Sequence, residues 1–362
     1  MPTRPTALVA MTGQSIWLDN ITRKLLDSGQ LEAWIRDLSV VGLTSNPSIF
    51  EKAITGSSDY DAQIRPLQEK GADPESIFFE CALADLTRAC DLFRGVYQRT
   101  GGVDGWVSLE VSPLLANDTA ATVAQALSLH GRARRNNLFI KVPGTPEGIP
   151  AIEELIFEGV SINVTLLFSK AQYLAAAEAY LRGLERRAAA GRPLGEVSSV
   201  ASLFVSRWDR KTAAALPTTL KNQVGIAVSR ECYAAYCQLC AEDRWLALEA
   251  KGARPQRLLY ASTSTKDPAL SPTLYVEALL SARTVNTMPE ETLLALAKSA
   301  KVDSVLAPGQ THWRQTLDAV AAAGVNLPAT AEQLQIEGRD SFNASWRQLL
   351  AKIGEKSAVL TK

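Results

Sequence analysis

Short runs of residues typical of β-strands alternate with amphipathic helical patterns along most of the chain. The predicted strands span residues 15–20, 40–46, 105–112, 138–142, 161–167, 200–206, 257–262 and 284–288. Strands that alternate with helices form parallel sheets, and eight strand–helix units favour a (β/α)8 TIM barrel of the α/β class. An open doubly wound sheet shows the same alternation, so only the count of eight favours the barrel.

The spacing of these units also predicts how the chain is organised. No low-complexity linker divides it, so we predict a single barrel domain over residues 1–362. The first helical pattern predicts one continuous helix over about 21–37, and two more patterns follow the last strand, at about 312–323 and 331–354. We expect the segment of about 300–362 to form helices packed on the barrel, the last of them a candidate to lean over its mouth.

The composition bears on the kinds of partner that the chain can bind and on the cellular compartment in which it acts. The 38 basic and 38 acidic residues cancel, which gives no electrostatic case for binding nucleic acid or an anionic membrane. The Ala-rich segments carry charges, and residues 1–5 lack the apolar run of a signal peptide. Five cysteines, an odd number, are consistent with reduced thiols. We therefore expect a cytoplasmic protein without nucleic-acid or membrane partners.

The cysteine and histidine patterns give little support to a metal or redox site. Cys237 and Cys240 are three residues apart in a predicted helix over 232–245, where a buried structural pair is favoured over a redox motif. Only His130 and His312 are present, which argues against a histidine-rich metal site. No phosphate-loop, dinucleotide-binding or zinc-protease motif occurs. We expect neither a metal nor a cofactor.

A lysine interrupts the fourth predicted strand, an apolar run of the kind that is buried on both faces. Lys141 lies in Leu-Phe-Ile-Lys-Val, just before Pro143 and Gly144 end the strand. An ammonium at this place must be paired, exposed at the strand end, or shifted toward the neutral amine. A neutral lysine amine is the nucleophile that forms Schiff bases with carbonyl substrates. A lysine that simply extends from the strand end into water is the alternative.

Most of the predicted strands carry a polar residue near the end where a barrel enzyme places its active site. These residues are Asp19, Asn46, Glu110, Lys141, Asn163, Thr165, Ser202 and Ser262, with Lys266 just beyond the seventh strand. Each has an ordinary structural explanation, such as a helix cap for Asp19 or a turn for Asn46. Their convergence on one rim around a strand lysine favours an active site.

The residue types at this rim suit Schiff-base chemistry on a phosphorylated polyol. Asp19 and Glu110 are the only carboxylates inside predicted strands, where burial raises a carboxyl pKa into a useful range for acid–base catalysis. The amides and hydroxyls suit the hydroxyl groups of a sugar. Arg207, Ser262 and Lys266 suit phosphate oxygens, although loop charges in solvent are an equal alternative for the two cations.

Five segments at these strand ends resemble those of transaldolases. They are Ile16-Trp17-Leu18-Asp19, Gly42-Leu43-Thr44-Ser45-Asn46-Pro47, Ser108-Leu109-Glu110-Val111-Ser112-Pro113, Phe139-Ile140-Lys141-Val142-Pro143 and Ile162-Asn163-Val164-Thr165-Leu166-Leu167-Phe168-Ser169. They occur in the order of that family, and the resemblance covers about residues 13–300. The chain length and the segment 261–266 are similar to the longer bacterial subfamily.

The resemblance implies a metal-free class I enzyme of the pentose phosphate pathway. Such an enzyme moves a dihydroxyacetone unit from sedoheptulose 7-phosphate or fructose 6-phosphate to glyceraldehyde 3-phosphate or erythrose 4-phosphate. By resemblance, Lys141 forms the Schiff base, Asp19 exchanges a proton with the C4 hydroxyl, and Glu110 handles imine protons with Thr165 through a water. The implied substrate ligands are Asn46 and Asn163 for the hydroxyls, Ser202 for the terminal hydroxyl, Phe204 as a wall and Arg207 for the phosphate.

The chain departs from the pattern at the second phosphate ligand. Other subfamilies have Ser-x-Arg after the seventh strand, whereas here Ser262 is followed by Thr263 and Ser264. We expect Lys266 to supply the missing charge, as a point charge rather than a planar fork.

The chain is expected to be a monomer or a homodimer.

Three alternatives stay open beside transfer of a dihydroxyacetone unit. The nearest is an aldolase on the same barrel that releases free dihydroxyacetone. The fructose 6-phosphate aldolases of this superfamily usually differ at the position of Glu110 and are shorter, which favours transfer. A sugar-phosphate-binding barrel without catalysis is disfavoured by the intact acid–base residues. A metal-dependent aldolase is disfavoured because two histidines are too few ligands.

Overall fold

A computed structural model describes residues 4–265, 267–299, 301–302 and 305–360. Eight parallel strands close into one barrel in sequential order, which confirms the (β/α)8 prediction and excludes the open sheet. The strands are β1 (Gln14–Asp19), β2 (Val40–Thr44), β3 (Trp106–Glu110), β4 (Leu138–Pro143), β5 (Ile162–Leu167), β6 (Ser199–Phe204), β7 (Arg257–Ala261) and β8 (Thr284–Met288).

The helices alternate with the strands and surround the barrel, as the amphipathic patterns predict. They are α1 (Pro5–Met11), α2 (Arg23–Asp27), α3 (Gln30–Asp37), α4 (Pro47–Thr55), α5 (Asp61–Glu69), α6 (Pro74–Arg99), α7 (Thr119–Ala133), α8 (Gly148–Glu158), α9 (Lys170–Ala189), α10 (Ser206–Thr212), α11 (Val224–Leu239), α12 (Asp243–Glu249), α13 (Leu274–Ala278), α14 (Glu290–Ser299), α15 (His312–Ala322) and α16 (Leu327–Leu360). Among the described residues, no helix is both long and apolar enough to cross a membrane.

Strand register places the central polar side chains at one level of the barrel. Glu110 of β3 pairs with Lys141 of β4, and Lys141 pairs with Asn163 of β5. Residues paired in this way on parallel strands point to the same face. The layer below is filled by Trp17, for which Gly42 leaves room: a Cβ on that glycine would lie 2.5 Å from the indole. The apolar layer therefore forms a floor beneath the polar one.

Two predicted helices are shorter than the sequence pattern suggests. The segment 21–37 forms two helices, α2 and α3, because Gly29 between them adopts the left-handed conformation at a φ of 72°. The pattern over 232–245 is interrupted where α11 ends at Leu239 and α12 begins at Asp243. Cys237 and Cys240 are half-buried there, less buried than the prediction of a core pair requires.

The last helix packs across the end of the barrel at which the strands terminate. Helix α16 packs against α4 and α6 on one side. On the other side, the Gln335 amide nitrogen donates hydrogen bonds to the backbone oxygens of Gly144 (2.9 Å) and Leu166 (3.0 Å), which follow or lie in β4 and β5. The expected helices of the C-terminal segment are thus present, and the last one covers part of the mouth.

Candidate active site

A cavity of about 630 Å³ opens at the C-terminal end of the strands. This is the end where barrel enzymes carry their active sites, and the volume suits a small ligand. The sequence-predicted residues that line the cavity are Asp19, Asn46, Lys141, Thr165, Ser202, Phe204, Arg207 and Ser262. The convergence expected from the strand ends is therefore present in the fold.

Lys141 lies at the base of this cavity with only 6% of its surface exposed. Its Nζ donates to the backbone oxygen of Ser45 at 2.9 Å and forms an ion pair with Glu110 Oε1. A buried ammonium needs this compensation, because an unpaired charge in the interior is costly. Lys141 is therefore paired rather than extended into solvent, which contradicts the alternative of a strand-end lysine in water.

Glu110 is the nearest base to the Lys141 amine. Burial raises the pKa of its carboxyl, while the charge of Lys141 and a hydrogen bond from it act in the opposite direction. Its Oε2 and the hydroxyl of Thr165 are buried and have no hydrogen-bond partner among the described residues. Both residues line a small pocket that also reaches Lys141. The geometry suits a base that shuttles protons to and from the amine.

Asp19 stands at the end of β1 in a hydrogen-bonded row. Its Oδ1 accepts from the Thr44 hydroxyl at 2.7 Å, and that hydroxyl lies 2.6 Å from the hydroxyl of Thr287 on β8. Burial is the main cause that raises the pKa of the Asp19 carboxyl, opposed by Lys141 and by the Thr44 bond. A carboxyl whose pKa is raised toward neutrality can both take and return a proton.

Asn163 is placed differently from the other predicted ligands. It is fully buried, its side-chain nitrogen donates to Ser108 Oγ at 3.1 Å, and its Oδ1 accepts from Ser202 Oγ at 2.6 Å. It is not among the residues that line the main cavity. In this arrangement Asn163 orients Ser202, which does line the cavity.

Asn46 has both a structural and a cavity-facing part. Its Oδ1 accepts from the backbone nitrogen of Ile49 at 3.0 Å and so caps α4. The residue also lines the cavity, so its amide nitrogen is the part available to a ligand.

Arg207 lies at the start of α10 between two aromatic rings. Its Cζ is 5.0 Å from the ring centre of Phe204 and 5.8 Å from that of Phe342 on α16. Burial is the main cause that lowers its pKa. Among the described residues its guanidinium has no hydrogen bond and no ion pair, in contrast to most arginines of the chain. A half-buried cation that lies between two rings and has no ion pair among the described residues is suited to bind an anionic group.

Close contact with α16 holds this guanidinium in place. A Cβ added to Gly338 would lie 3.1 Å from Arg207 Nη1 and 2.9 Å from a methyl of Leu166. Any larger residue at 338 would therefore compete with Arg207 for space.

Ser262, the other described phosphate candidate, lies just after β7 in an uncommon conformation. Its φ is 56°, and its hydroxyl is 2.8 Å from that of Ser206, the residue before Arg207. The bond places the start of the segment after β7, which we call the Ser262 segment, beside α10. Lys266 lies outside the described residues, so its expected role stays a prediction.

Some cavity residues have no place in the sequence-based prediction. They include Thr44, Lys52, Ser264, Thr287, and on α16 Ser341, Phe342 and Ser345. Thr287 follows the rule of polar strand ends, and Thr44 precedes Asn46 in the same segment. Nothing in the local pattern of α16 marks its contribution. Across the described part of the chain, no three His, Cys, Asp or Glu residues are grouped to hold a metal ion.

Comparison with known proteins shows the family to which the chain is similar. The family model described as transaldolase/fructose-6-phosphate aldolase matches residues 16–353. The match extends beyond the expected 13–300 and includes most of α16. A transaldolase of Saccharopolyspora erythraea is 45% identical over 350 residues, covering 95% of each chain. Those of Frankia alni (44%, covering 97% of each chain) and Trichodesmium erythraeum (40%, covering 96%) are similar over nearly their whole length.

Proposed function

Because the chain belongs to the transaldolase/fructose-6-phosphate aldolase family, we propose that it transfers a dihydroxyacetone unit between sugar phosphates through a Schiff base on Lys141. The observation that carries the proposal is the buried Lys141–Glu110 pair, whose lysine lines a cavity ringed by sugar-compatible groups. The donors are sedoheptulose 7-phosphate or fructose 6-phosphate, and the acceptors are glyceraldehyde 3-phosphate or erythrose 4-phosphate. The setting is the pentose phosphate pathway in the cytoplasm, with the chain acting as a monomer or homodimer.

Formation of the Schiff base begins with a proton leaving the Lys141 ammonium. Glu110, in contact with Nζ, accepts it, and the free amine attacks the ketose carbonyl carbon. The carbinolamine hydroxyl then leaves as water, with its proton supplied by Glu110 through a water held against Thr165. The product is an iminium ion, which withdraws electrons from the adjacent carbons.

Cleavage of the carbon–carbon bond requires a second base. The Asp19 carboxylate removes the proton of the C4 hydroxyl, the C3–C4 bond breaks, and its electron pair flows to the iminium nitrogen. The aldose phosphate leaves and a three-carbon enamine stays on Lys141. When the acceptor aldehyde enters, the enamine attacks it and Asp19 returns the proton to the new alkoxide. Hydrolysis of the iminium frees the product and the amine.

The remaining polar groups hold the two ends of the sugar. Ser202, oriented by Asn163, and the amide nitrogen of Asn46 bind hydroxyls of the dihydroxyacetone unit, while Phe204 forms a wall. Arg207 and Ser262 bind the phosphate at the other end of the cavity, and Lys266 adds its charge.

Turnover that depends on an acceptor tests transfer against simple cleavage. Fructose 6-phosphate supplied with erythrose 4-phosphate should yield sedoheptulose 7-phosphate, with free dihydroxyacetone at least about 100-fold slower to appear, since the enamine is retained on Lys141 for the acceptor. The measurement is product quantification by mass spectrometry with and without erythrose 4-phosphate. Equal release of dihydroxyacetone without an acceptor would mean an aldolase, and no turnover in either case would favour a binding protein.

Replacing Arg207 tests the phosphate end of the cavity. We expect Arg207→Ala to raise the KM for fructose 6-phosphate roughly 10- to 100-fold with a much smaller change in kcat, because a charge-assisted hydrogen bond is worth about 1.5–3 kcal/mol. Steady-state kinetics measures both constants. Arg210→Ala, at an exposed position on the same helix, is the matched control and should leave KM unchanged. An unchanged KM in Arg207→Ala would remove the phosphate role.

A further inference from the structure

A buried carboxylate lies two residues beyond Arg207, outside the cavity. Asp209 is 5% exposed and is not among the cavity-lining residues. Its Oδ1 accepts hydrogen bonds from the backbone nitrogens of Val224 (2.9 Å) and Gly225 (3.3 Å), the first residues of α11. Its Oδ2 accepts from the hydroxyl of Tyr275 at 2.9 Å. One carboxylate thus connects α10 to two other elements.

One of these elements, α13, ends the segment that begins with Ser262, a predicted phosphate ligand. Tyr275 belongs to this helix. Helix α10 carries Arg207 and has only seven residues, too few for intrinsic stability. Near the strand ends the two segments are joined by the Ser206 backbone nitrogen, which donates to the Ser262 oxygen at 3.1 Å. Asp209, in the middle of α10, supplies the second connection.

The other element, α11, approaches the start of α10 so closely that only a glycine fits at position 225. A Cβ at position 225 would lie 2.3 Å from the backbone oxygen of Val205 and 3.0 Å from Asp209 Oδ2. The N-terminus of a 16-residue helix also favours a carboxylate through its dipole and free N–H groups. The two N–H groups and the dipole of α11 therefore favour a carboxylate at position 209.

We propose that Asp209 and Tyr275 are positioning residues that hold Arg207 and the Ser262 segment at the spacing that binds the substrate phosphate. Neither touches the cavity, and both act through the residues that do. Asp209 fixes the middle of α10, and the phenol of Tyr275 bonds the end of the Ser262 segment to the same carboxylate. The inference rests on the proposed phosphate role of Arg207.

The test compares a phosphorylated with an unphosphorylated donor. For each variant, kcat/KM is measured with fructose 6-phosphate and with fructose, both with glyceraldehyde as acceptor, and the ratio of the two values is the readout. We expect the ratio to fall roughly 5- to 10-fold in Tyr275→Phe, which loses one buried hydrogen bond, and further in Asp209→Asn. Tyr233→Phe is the control. Tyr233 also lies on α11, but its phenol donates to the backbone oxygen of Ala282, so the ratio should not change.

A double-mutant cycle separates positioning from general loosening. Because Asp209 acts in part through Arg207, Asp209→Asn should lower the ratio by a smaller factor in the Arg207→Ala background than in the wild type. A fall of the same factor in both backgrounds would overturn the inference. Unchanged ratios in Tyr275→Phe and Asp209→Asn, with a lowered ratio in Arg207→Ala, would also overturn it. An unchanged ratio in Arg207→Ala itself would instead overturn the phosphate role on which the inference rests.

Discussion

Lys141→Met should lower kcat/KM for transfer from fructose 6-phosphate by about 10⁴-fold or more, because covalent catalysis loses its only nucleophile. Methionine keeps the length and bulk of the lysine side chain but carries no amine. The change also leaves Glu110 buried without its cation, and protonation of that carboxyl, whose pKa burial already raises, relieves the cost. Steady-state kinetics checks activity, and circular dichroism checks that the variant is folded.

A second lysine provides the matched control for this experiment. Lys170 begins α9, is exposed, and pairs with Glu231 away from the cavity. Lys170→Met should retain wild-type kinetics within about twofold, since surface pairs contribute little. A folded Lys141→Met protein with activity within tenfold of the wild type would contradict the Schiff-base mechanism.

Asp19→Asn should lower kcat by about 10²- to 10⁴-fold, the usual contribution of a positioned general base, with little change in KM. The amide is nearly isosteric and its oxygen can still accept from Thr44. Since Glu110 rather than Asp19 serves imine formation, the Schiff base should still form. Borohydride reduction should then trap the uncleaved six-carbon sugar on Lys141, where the wild type yields a three-carbon adduct. Loss of both adducts would place Asp19 in imine formation instead.

The same variant tests the pH dependence of cleavage. The Asp19 carboxylate is the active form, and burial raises its pKa above the ordinary range. Activity should therefore fall as pH is lowered through that raised pKa, at a higher pH than an exposed aspartate would give, and Asp19→Asn should lack this limb. Asp318→Asn, an exposed change on α15, should keep it. An unchanged acid limb in Asp19→Asn would assign it to another group.

The strands and their polar ends were predictable because both depend on local sequence. The apolar run around Lys141 and the polar residues at successive strand ends need no knowledge of distant contacts, and closing the barrel brings them together. The helix over 21–37 was predicted too long because a single glycine, Gly29, breaks an otherwise continuous amphipathic pattern. Local pattern therefore predicts the frame of the site well.

The parts that were not predictable depend on tertiary packing. Helix α16 reaches the mouth from the far end of the chain, and its own pattern does not show that Phe342 covers Arg207 or that Gly338 leaves room for it. The role of Asn163 as a substrate ligand stays a prediction, and the local pattern of its strand does not show that it is fully buried and bonded to Ser108 and Ser202. Such contacts join residues that lie far apart in the sequence.

Borohydride trapping with fructose 6-phosphate, followed by peptide mass mapping, tests directly whether Lys141 forms the Schiff base. We expect a reduced dihydroxyacetone adduct on Lys141 and on no other lysine. The adduct should be absent in Lys141→Met and present in Lys170→Met. A wild-type protein that gives no adduct, or an adduct on a different lysine, would rule out Lys141 as the Schiff-base residue.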